Sequence, residues 1–203
     1  MTRCLLVFAH PRADSLNARL AATVEAKALE LGWEVTRRDL YAGGFSACLT
    51  ADEHAGFYAT PAGTLIEEKR ELAAAQVLIL VFPTWWFGFP AILKGWFDRV
   101  WAPGTAYDHA PEFGPMQPRL HALRAVLAVT TMGAPAWIDW LVLRRPLARI
   151  LRLAILKPCA PKARLTWCVL HGAEAVAEAR ISRFEATLRS GLDKLARRTT
   201  CLD

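Results

Sequence analysis

Three large rings in a row, Trp85, Trp86 and Phe87, stand beside a flexible Gly88 between an apolar run, Val77 to Phe82, and a helix-spaced stretch, Ala91 to Trp101. A turn beyond a sheet edge offers such rings little core to enter, so the cluster suits a flat, stacked ligand. Two other stretches carry groups that could hold the rest of such a ligand. After His10-Pro11 come Ser15, Leu16 and Asn17, where a helix begins; unpaired N–H groups and the helix dipole favour an anion such as phosphate there. Asp14 and Ser15 read equally well as plain helix caps. Thr130, Thr131 and Gly133, at the end of another apolar run, offer hydroxyl and amide donors to a polar ring edge.

The elements that must position these residues follow from periodicity. Cys4 to Ala9, Val77 to Phe82, Ala125 to Val129 and Leu165 to Leu170 are apolar runs of strand length, and Trp33 to Leu40 alternates weakly, as an edge strand does. Leu16, Leu20, Val24 and Ala28 form one helical stripe ending at Gly32, a C′ residue. Thr64-x-x-Glu67 reads as a capping box opening a helix through Ala75, and Pro90 as the first position of the helix reaching Trp101. Ile181, Phe184, Leu188, Leu192 and Leu195 mark a last amphipathic helix. Tyr41 to Gly63 has no period and is expected to wrap the surface; Pro103 to Pro118 is a loop long enough to be a lid. Strands alternating with helices predict a single α/β domain over 1–203, with a five-stranded parallel sheet in the order 2-1-3-4-5 and helices on both faces. That order brings the turns after strands one, three and four to one carboxyl edge, and these are the three loops above.

Composition bounds the rest. The chain is 54% hydrophobic and 22% charged, as a globular protein is, and its five cysteines form no C-x-x-C and no metal-ligand spacing, which suits a reducing cytoplasm. The apolar run near the N-terminus is too short for a signal peptide. No G-x-G-x-x-G, Walker or G-x-S-x-G motif is present, no His pair has i, i+4 spacing, and no metal site is expected. Between Trp137 and Arg164 lie seven basic residues, Arg144, Arg145, Arg149, Arg152, Lys157, Lys162 and Arg164, and one acid, Asp139. The chain's whole net charge of +6 therefore equals that of this segment. Its charges rule out a membrane span. It carries no nucleic-acid recognition motif, so no nucleic-acid partner is expected.

The run Phe82-Pro83-Thr84-Trp85-Trp86-Phe87-Gly88-Phe89-Pro90-Ala91-Ile92-Leu93-Lys94-Gly95-Trp96-Phe97-Asp98-Arg99-Val100, together with Ala9-His10-Pro11, Ser15-Leu16-Asn17, Ala106-Tyr107 and Thr130-Thr131, resembles the flavodoxin-like NAD(P)H:quinone oxidoreductases, the DT-diaphorase group and its bacterial relatives. The resemblance implies a flavoprotein, with FAD in most branches and FMN in some, that takes hydride from NAD(P)H and reduces a quinone by two electrons. It implies that His10, Ser15, Leu16 and Asn17 face the flavin's phosphate and ribityl side. Pro83, Thr84, Trp85, Trp86 and Phe87 would then wall the isoalloxazine, and Thr130, Thr131 and Gly133 would meet its polar edge. Tyr107 and His109 are similar in place to aromatics that cover the substrate in a partner subunit.

The sequence departs from the family after the fourth strand. Animal-type members carry Thr-Thr-Gly-Gly and then a Tyr and a His that relay charge; here the run is Thr130-Thr131-Met132-Gly133, and no His lies between His121 and His171. Trp137 and Arg144 are the residues that could take over, with amides near Met132 and Gly133 on the anion side. If donor and acceptor share one slot, turnover is ping-pong. Trp96 and Phe97 read as core, yet the helix's apolar surface, including Trp101, exceeds what one face of a two-layer fold needs, which predicts a homodimer. The basic segment has three readings: a solvated face, a seat for the 2′-phosphate of NADPH, or peripheral contact with anionic lipid. The rival to the enzyme is a flavin-bearing accessory or regulatory subunit of a membrane transporter.

Overall fold

The computed structural model describes residues 1–57, 64–109 and 114–200. Five strands form one parallel sheet: β1 (Arg3–Phe8), β2 (Glu34–Asp39), β3 (Val77–Pro83), β6 (Ala125–Met132) and β7 (Arg164–His171), in the order β2-β1-β3-β6-β7. The order is the predicted 2-1-3-4-5. β3 and β6 are buried along their whole length, as unbroken apolar runs in the middle of a parallel sheet must be. Alternate side chains enter opposite cores. Leu78, Leu80 and Phe82 face α4 (Ala91–Val100), packing with Leu93 and Trp96. Ile79, Val81, Leu127 and Val129 face α1 (Leu16–Glu30) and α7 (Glu178–Thr200), packing with Leu20, Val24, Leu188 and Leu192.

Register brings the functional turns together. Phe8 of β1 pairs with Val81, Phe82 with Thr130 and Pro83 with Thr131, and on the far side Met132 pairs with His171. The chain therefore leaves β1, β3, β6 and β7 at one rim.

Several local expectations are corrected. Thr64 does not cap the next helix: α3 (Ile66–Ala74) starts after Leu65, which has φ 55° and makes no side-chain cap. Thr64 Oγ1 instead donates to Glu53 Oε1 at 3.0 Å. The capping box is Thr50 with Glu53, on α2 (Ala51–Ala55), inside the segment that showed no periodicity. Glu53 is the hub of that segment, because Arg99 of α4 reaches it through Nε at 3.0 Å and through Nη2 at 2.7 Å. The Arg99 guanidinium, first among the causes, holds this carboxyl down at about 2. Gly95 is required beneath the same segment, since a Cβ there would lie 2.5 Å from Ala47 Cα.

Pro90 is the N-cap of α4 rather than its first helical residue. Trp96, Phe97 and Trp101 are all buried within the chain, so the apolar helix surface on which a dimer was predicted is core. The lid segment contains a small antiparallel ribbon, β4 (Tyr107–Asp108) with β5 (Gln117–Pro118). The basic segment is not one helix. Arg144 and Arg145 both sit at positive φ, Pro146 opens the short α5 (Pro146–Arg149), and wide π-helical turns flank it at Ile138–Val142 and Ile150–Leu156, followed by α6 (Lys157–Cys159). Residues 58–63 of the surface segment, 110–113 of the lid and Cys201 lie outside the described residues.

Candidate functional site

Trp85, Trp86, Phe87 and Gly88 form a tight turn closed by Gly88 N–H donating to the Trp85 carbonyl at 2.9 Å. Both central residues are left-handed, Trp86 at φ 50° and Phe87 at φ 56°. This is the turn type normally filled by Asn and Gly. Two aromatic residues in it store strain of about 1 to 3 kcal/mol each. The turn holds Trp86 almost entirely in solvent, 99% exposed. Its Trp86 and Phe87 amides donate to no protein acceptor among the described residues. The strained turn leaves the Trp86 ring and the two N–H groups open to a ligand.

The threonines tie this turn to the rim. Thr84 N–H donates to the Thr131 carbonyl at 2.7 Å, and the Thr84 and Thr130 hydroxyls bond each other at 2.7 Å. Asn17, from the first turn of α1, is buried and donates through Nδ2 to Thr131 Oγ1 at 2.8 Å. Three turns far apart in sequence are thus bonded into one floor. The Asn17 Oδ1 atom is buried and has no partner. An orphan acceptor costs about 1 to 3 kcal/mol, so it calls for a hydroxyl or N–H donor from a ligand. A flavin's ribityl hydroxyls, or its ring N–H, have that chemistry.

At the anion seat the two readings of Ser15 meet: its Oγ accepts from Ala18 N at 3.1 Å, a true cap, while the first turn of α1 carries no acid. Leu16 packs its side chain into the second core and can offer only its backbone. His10 Nδ1 is engaged by the Arg12 backbone, 3.1 Å from its N–H and 3.3 Å from its carbonyl, which leaves Nε2 for a ligand. Burial, the largest influence on its pKa, lowers it and so favours the neutral ring. His10 lies against Trp85, ring centroids 6.2 Å apart, joining the anion seat to the aromatic wall. Gly133 must be glycine unless Glu174 moves, because a Cβ would meet Glu174 Oε1 at 2.7 Å. Burial pushes the thiols of Cys4 to about 12 and Cys168 to about 11, so neither is a thiolate at neutral pH.

From Gly88 the site opens into an apolar cavity of about 550 Å³ between α4, the β4–β5 ribbon and the π-helical segment, lined by Phe89, Phe97, Trp101, Tyr107, Met116 and Ile150 among others. Tyr107 and His109 stack edge to face at 5.4 Å, with Tyr107 on the cavity wall. The buried Trp101 Nε1–H meets no oxygen or nitrogen acceptor among the described residues, with the Cys159 sulfur as its neighbour. A single indole donor in an apolar chamber suits a flat molecule carrying a carbonyl.

Trp137 and Arg144, the sequence's stand-ins for a relay, are both exposed, and neither side chain makes a hydrogen bond or ion pair among the described residues. The buried polar pair at this rim is one that the sequence reading missed. His171, at the end of β7 opposite Met132, bonds through Nε2 to Asp139 Oδ2 at 3.1 Å, and both are buried. Trp140 lies edge-on to His171 at 6.1 Å, and the Arg145 guanidinium sits 4.6 Å over Trp140. The available signal was Asp139, the lone acid of the basic segment.

The family model described as "Flavodoxin-like fold" matches residues 2–157. An NAD(P)H oxidoreductase of Escherichia coli, YcaK, named as uncharacterized, is 40% identical over 111 residues, covering 52% of this chain and 55% of that protein. NAD(P)H dehydrogenase [quinone] 1 of Rattus norvegicus is 37% identical over 153 residues, covering 65% and 54%. The chain thus spans about half the length of these curated relatives. Among solved structures, an FMN-dependent NADH-azoreductase of Bacillus anthracis in complex with FMN superposes with a TM-score of 0.76 at 13% identity, covering 96% of this chain and 100% of that one; the likeness is one of fold.

Proposed function

Because the chain belongs to the flavodoxin-like-fold family that includes the NAD(P)H:quinone oxidoreductases, we propose that it is a flavin-dependent oxidoreductase passing two electrons from NAD(P)H to a quinone or similar flat carbonyl acceptor. The observation that carries this reading is the bonded floor of three turns, with the orphan Asn17 acceptor and the bare Trp86 and Phe87 amides beside a cavity of about 550 Å³. The rat quinone dehydrogenase and the FMN-bound azoreductase support it by name. FAD is the form implied by the family resemblance, and FMN is the alternative.

When bound, the flavin supplies hydride acceptance and two-electron storage. The chain's residues would do the rest. His10 Nε2 and the start of α1 would hold the phosphate side, Asn17 Oδ1 would accept from the ribityl side, and the strained turn would offer its rings and amides to the isoalloxazine. Thr130, Thr131 and the amides near Gly133 meet its polar edge. Holding first the donor and then the acceptor at near-attack distance in the cavity could supply up to about 7 to 11 kcal/mol. Since one cavity serves both, turnover is ping-pong. Trp101 Nε1–H receives the acceptor carbonyl and Tyr107 covers it. His171, held through Nε2 by Asp139 at the end of β7 opposite Met132, would be the imidazole available at this rim to a bound ring. This pair, rather than Trp137 or Arg144, stands in for the family's relay.

The predicted homodimer also belongs to this reading, with the open apolar mouth of the cavity, rather than the buried α4 aromatics, as the surface a second copy would close. Light scattering tests it. Steady-state oxidation of NADH or NADPH with a soluble quinone tests the activity: parallel-line kinetics support the proposal. Flavin retention with negligible turnover would support the accessory-subunit reading instead.

A further inference from the structure

The exposed large apolar side chains are unevenly distributed. Trp137, Trp140, Leu141, Val142, Ile150 and Leu153 all lie between residues 137 and 153, and Leu141 is 75% and Val142 60% exposed. In the same segment Arg144, Arg145, Arg149, Arg152, Lys157, Lys162 and Arg164 are exposed, and its one acid, Asp139, is buried. None of these seven cations joins an ion pair among the described residues, whereas basic residues elsewhere, such as Arg19, Arg38, Arg99 and Arg189, are paired with glutamates. Three of the seven, Arg152, Lys157 and Arg164, line a cleft of about 490 Å³ with Leu153, Leu156 and Pro161, and no acid borders it.

From this we infer that the 137–164 face docks on an anionic lipid bilayer, with the Arg152–Lys157–Arg164 cleft receiving a lipid phosphate and the flanking Leu153 and aromatic side chains entering the interfacial layer. Apolar and aromatic groups fringed by unpaired cations are what a bilayer surface selects, the former for the acyl boundary and the latter for the headgroups. A soluble phosphate would explain the cleft but leave the exposed leucines and tryptophans unexplained. A symmetric contact with a second copy would set an acid-free cation field against itself. The inference is independent of the redox reading, since a chain that bound no flavin would keep this face. The same segment carries Ile150 on its other flank, at the lip of the apolar cavity.

The test is co-sedimentation of the full chain with vesicles of phosphatidylcholine alone and with added phosphatidylglycerol, at low salt and near 0.5 M salt, where the Debye length falls to about 4 Å. The expected result is binding to the anionic vesicles only, largely lost at high salt. At about 1 kcal/mol per cation near the surface, losing three attractions in the triple charge reversal R152E/K157E/R164E weakens binding by at least about 100-fold. Should the triple variant fold poorly, the single exposed change Leu153→Ser serves, with a drop of several-fold that a purely electrostatic contact would not show. Wild-type chain left in the supernatant, equal binding to neutral vesicles, or L153S binding as tightly as wild type overturns the inference. Wild-type chain that binds no vesicles, with an oligomeric state that changes in the charge-reversal variant, overturns it too, in favour of a second copy.

Discussion

Replacing Asn17 with leucine separates a ligand-holding role from a structural one. The wild-type side chain makes one buried hydrogen bond, Nδ2 to Thr131 Oγ1 at 2.8 Å, and leaves Oδ1 buried and unpaired. The bond contributes about 1 kcal/mol, and the orphan oxygen costs about 1 to 3 kcal/mol. Leucine is of similar volume, loses the bond and removes the orphan, while Thr131 is left short of a donor. These terms nearly cancel, so the flavin-free N17L protein should melt within about 1 kcal/mol of wild type, or roughly 3 °C for a chain of this size. Flavin binding has no such compensation. The ligand donor loses its acceptor against an apolar wall, at about 1.4 to 3 kcal/mol, so the dissociation constant should rise about 10- to 100-fold. Thermal melts of stripped protein and a fluorescence titration with FMN and FAD measure the two effects. A large loss of apo stability with unchanged flavin affinity would refute the reasoning and return Asn17 to the core.

Glu53 should give the chain an acid-sensitive joint. Its folded pKa is depressed from 4.5 to about 2, mainly by Arg99. The stability it provides, about 3 kcal/mol, is therefore present above pH 4.5 and lost as pH falls toward 2. Denaturant melts across that range should show the loss in wild type, whereas E53Q should start about 3 kcal/mol lower at pH 7 and vary less. Trp101→Phe removes the indole donor on the cavity wall. Quinone KM should rise about 5- to 10-fold with little change in melting temperature, while an unchanged KM would remove Trp101 from the acceptor site. His171→Gln should lower kcat about 10- to 100-fold with flavin content unchanged; loss of flavin instead would make the Asp139 pair a structural one.

What the sequence disclosed followed from how many residues shared in each signal. β3 and β6 were legible because every residue of Val77–Phe82 and Ala125–Val129 is apolar, which only a central parallel strand tolerates. Once strand order followed, so did the meeting of the loops around Asn17, Trp85 and Thr131 at one rim. Signals carried by a single pair were less secure. Thr64-x-x-Glu67 has capping-box spacing, but the hydroxyl is drawn away by Glu53, a tertiary partner outside the local pattern. The real box, Thr50 with Glu53, lay in a segment without hydrophobic period because its anchor is ionic, through Arg99. The aromatics of α4 could not be assigned to core or surface by helical spacing alone, since Gly95 admits the 46–48 segment over the helix and the π-helical segment covers another side. Asp139 and His171 are 32 residues apart, and only the pairing of β7 with β6 brings them together.

The central claim is that the floor formed by Asn17, Thr84, Thr130 and Thr131, with the Trp85–Gly88 turn above it, holds one flavin. The most direct test is to titrate the stripped chain with FMN and with FAD, following the visible absorption of the flavin and the tryptophan emission together. The account predicts saturation at one flavin per chain with strong quenching of that emission, and loss of most of the quenching in W85F/W86F. A chain that takes up neither flavin, or that binds one while the emission of Trp85 and Trp86 stays unchanged, would contradict it.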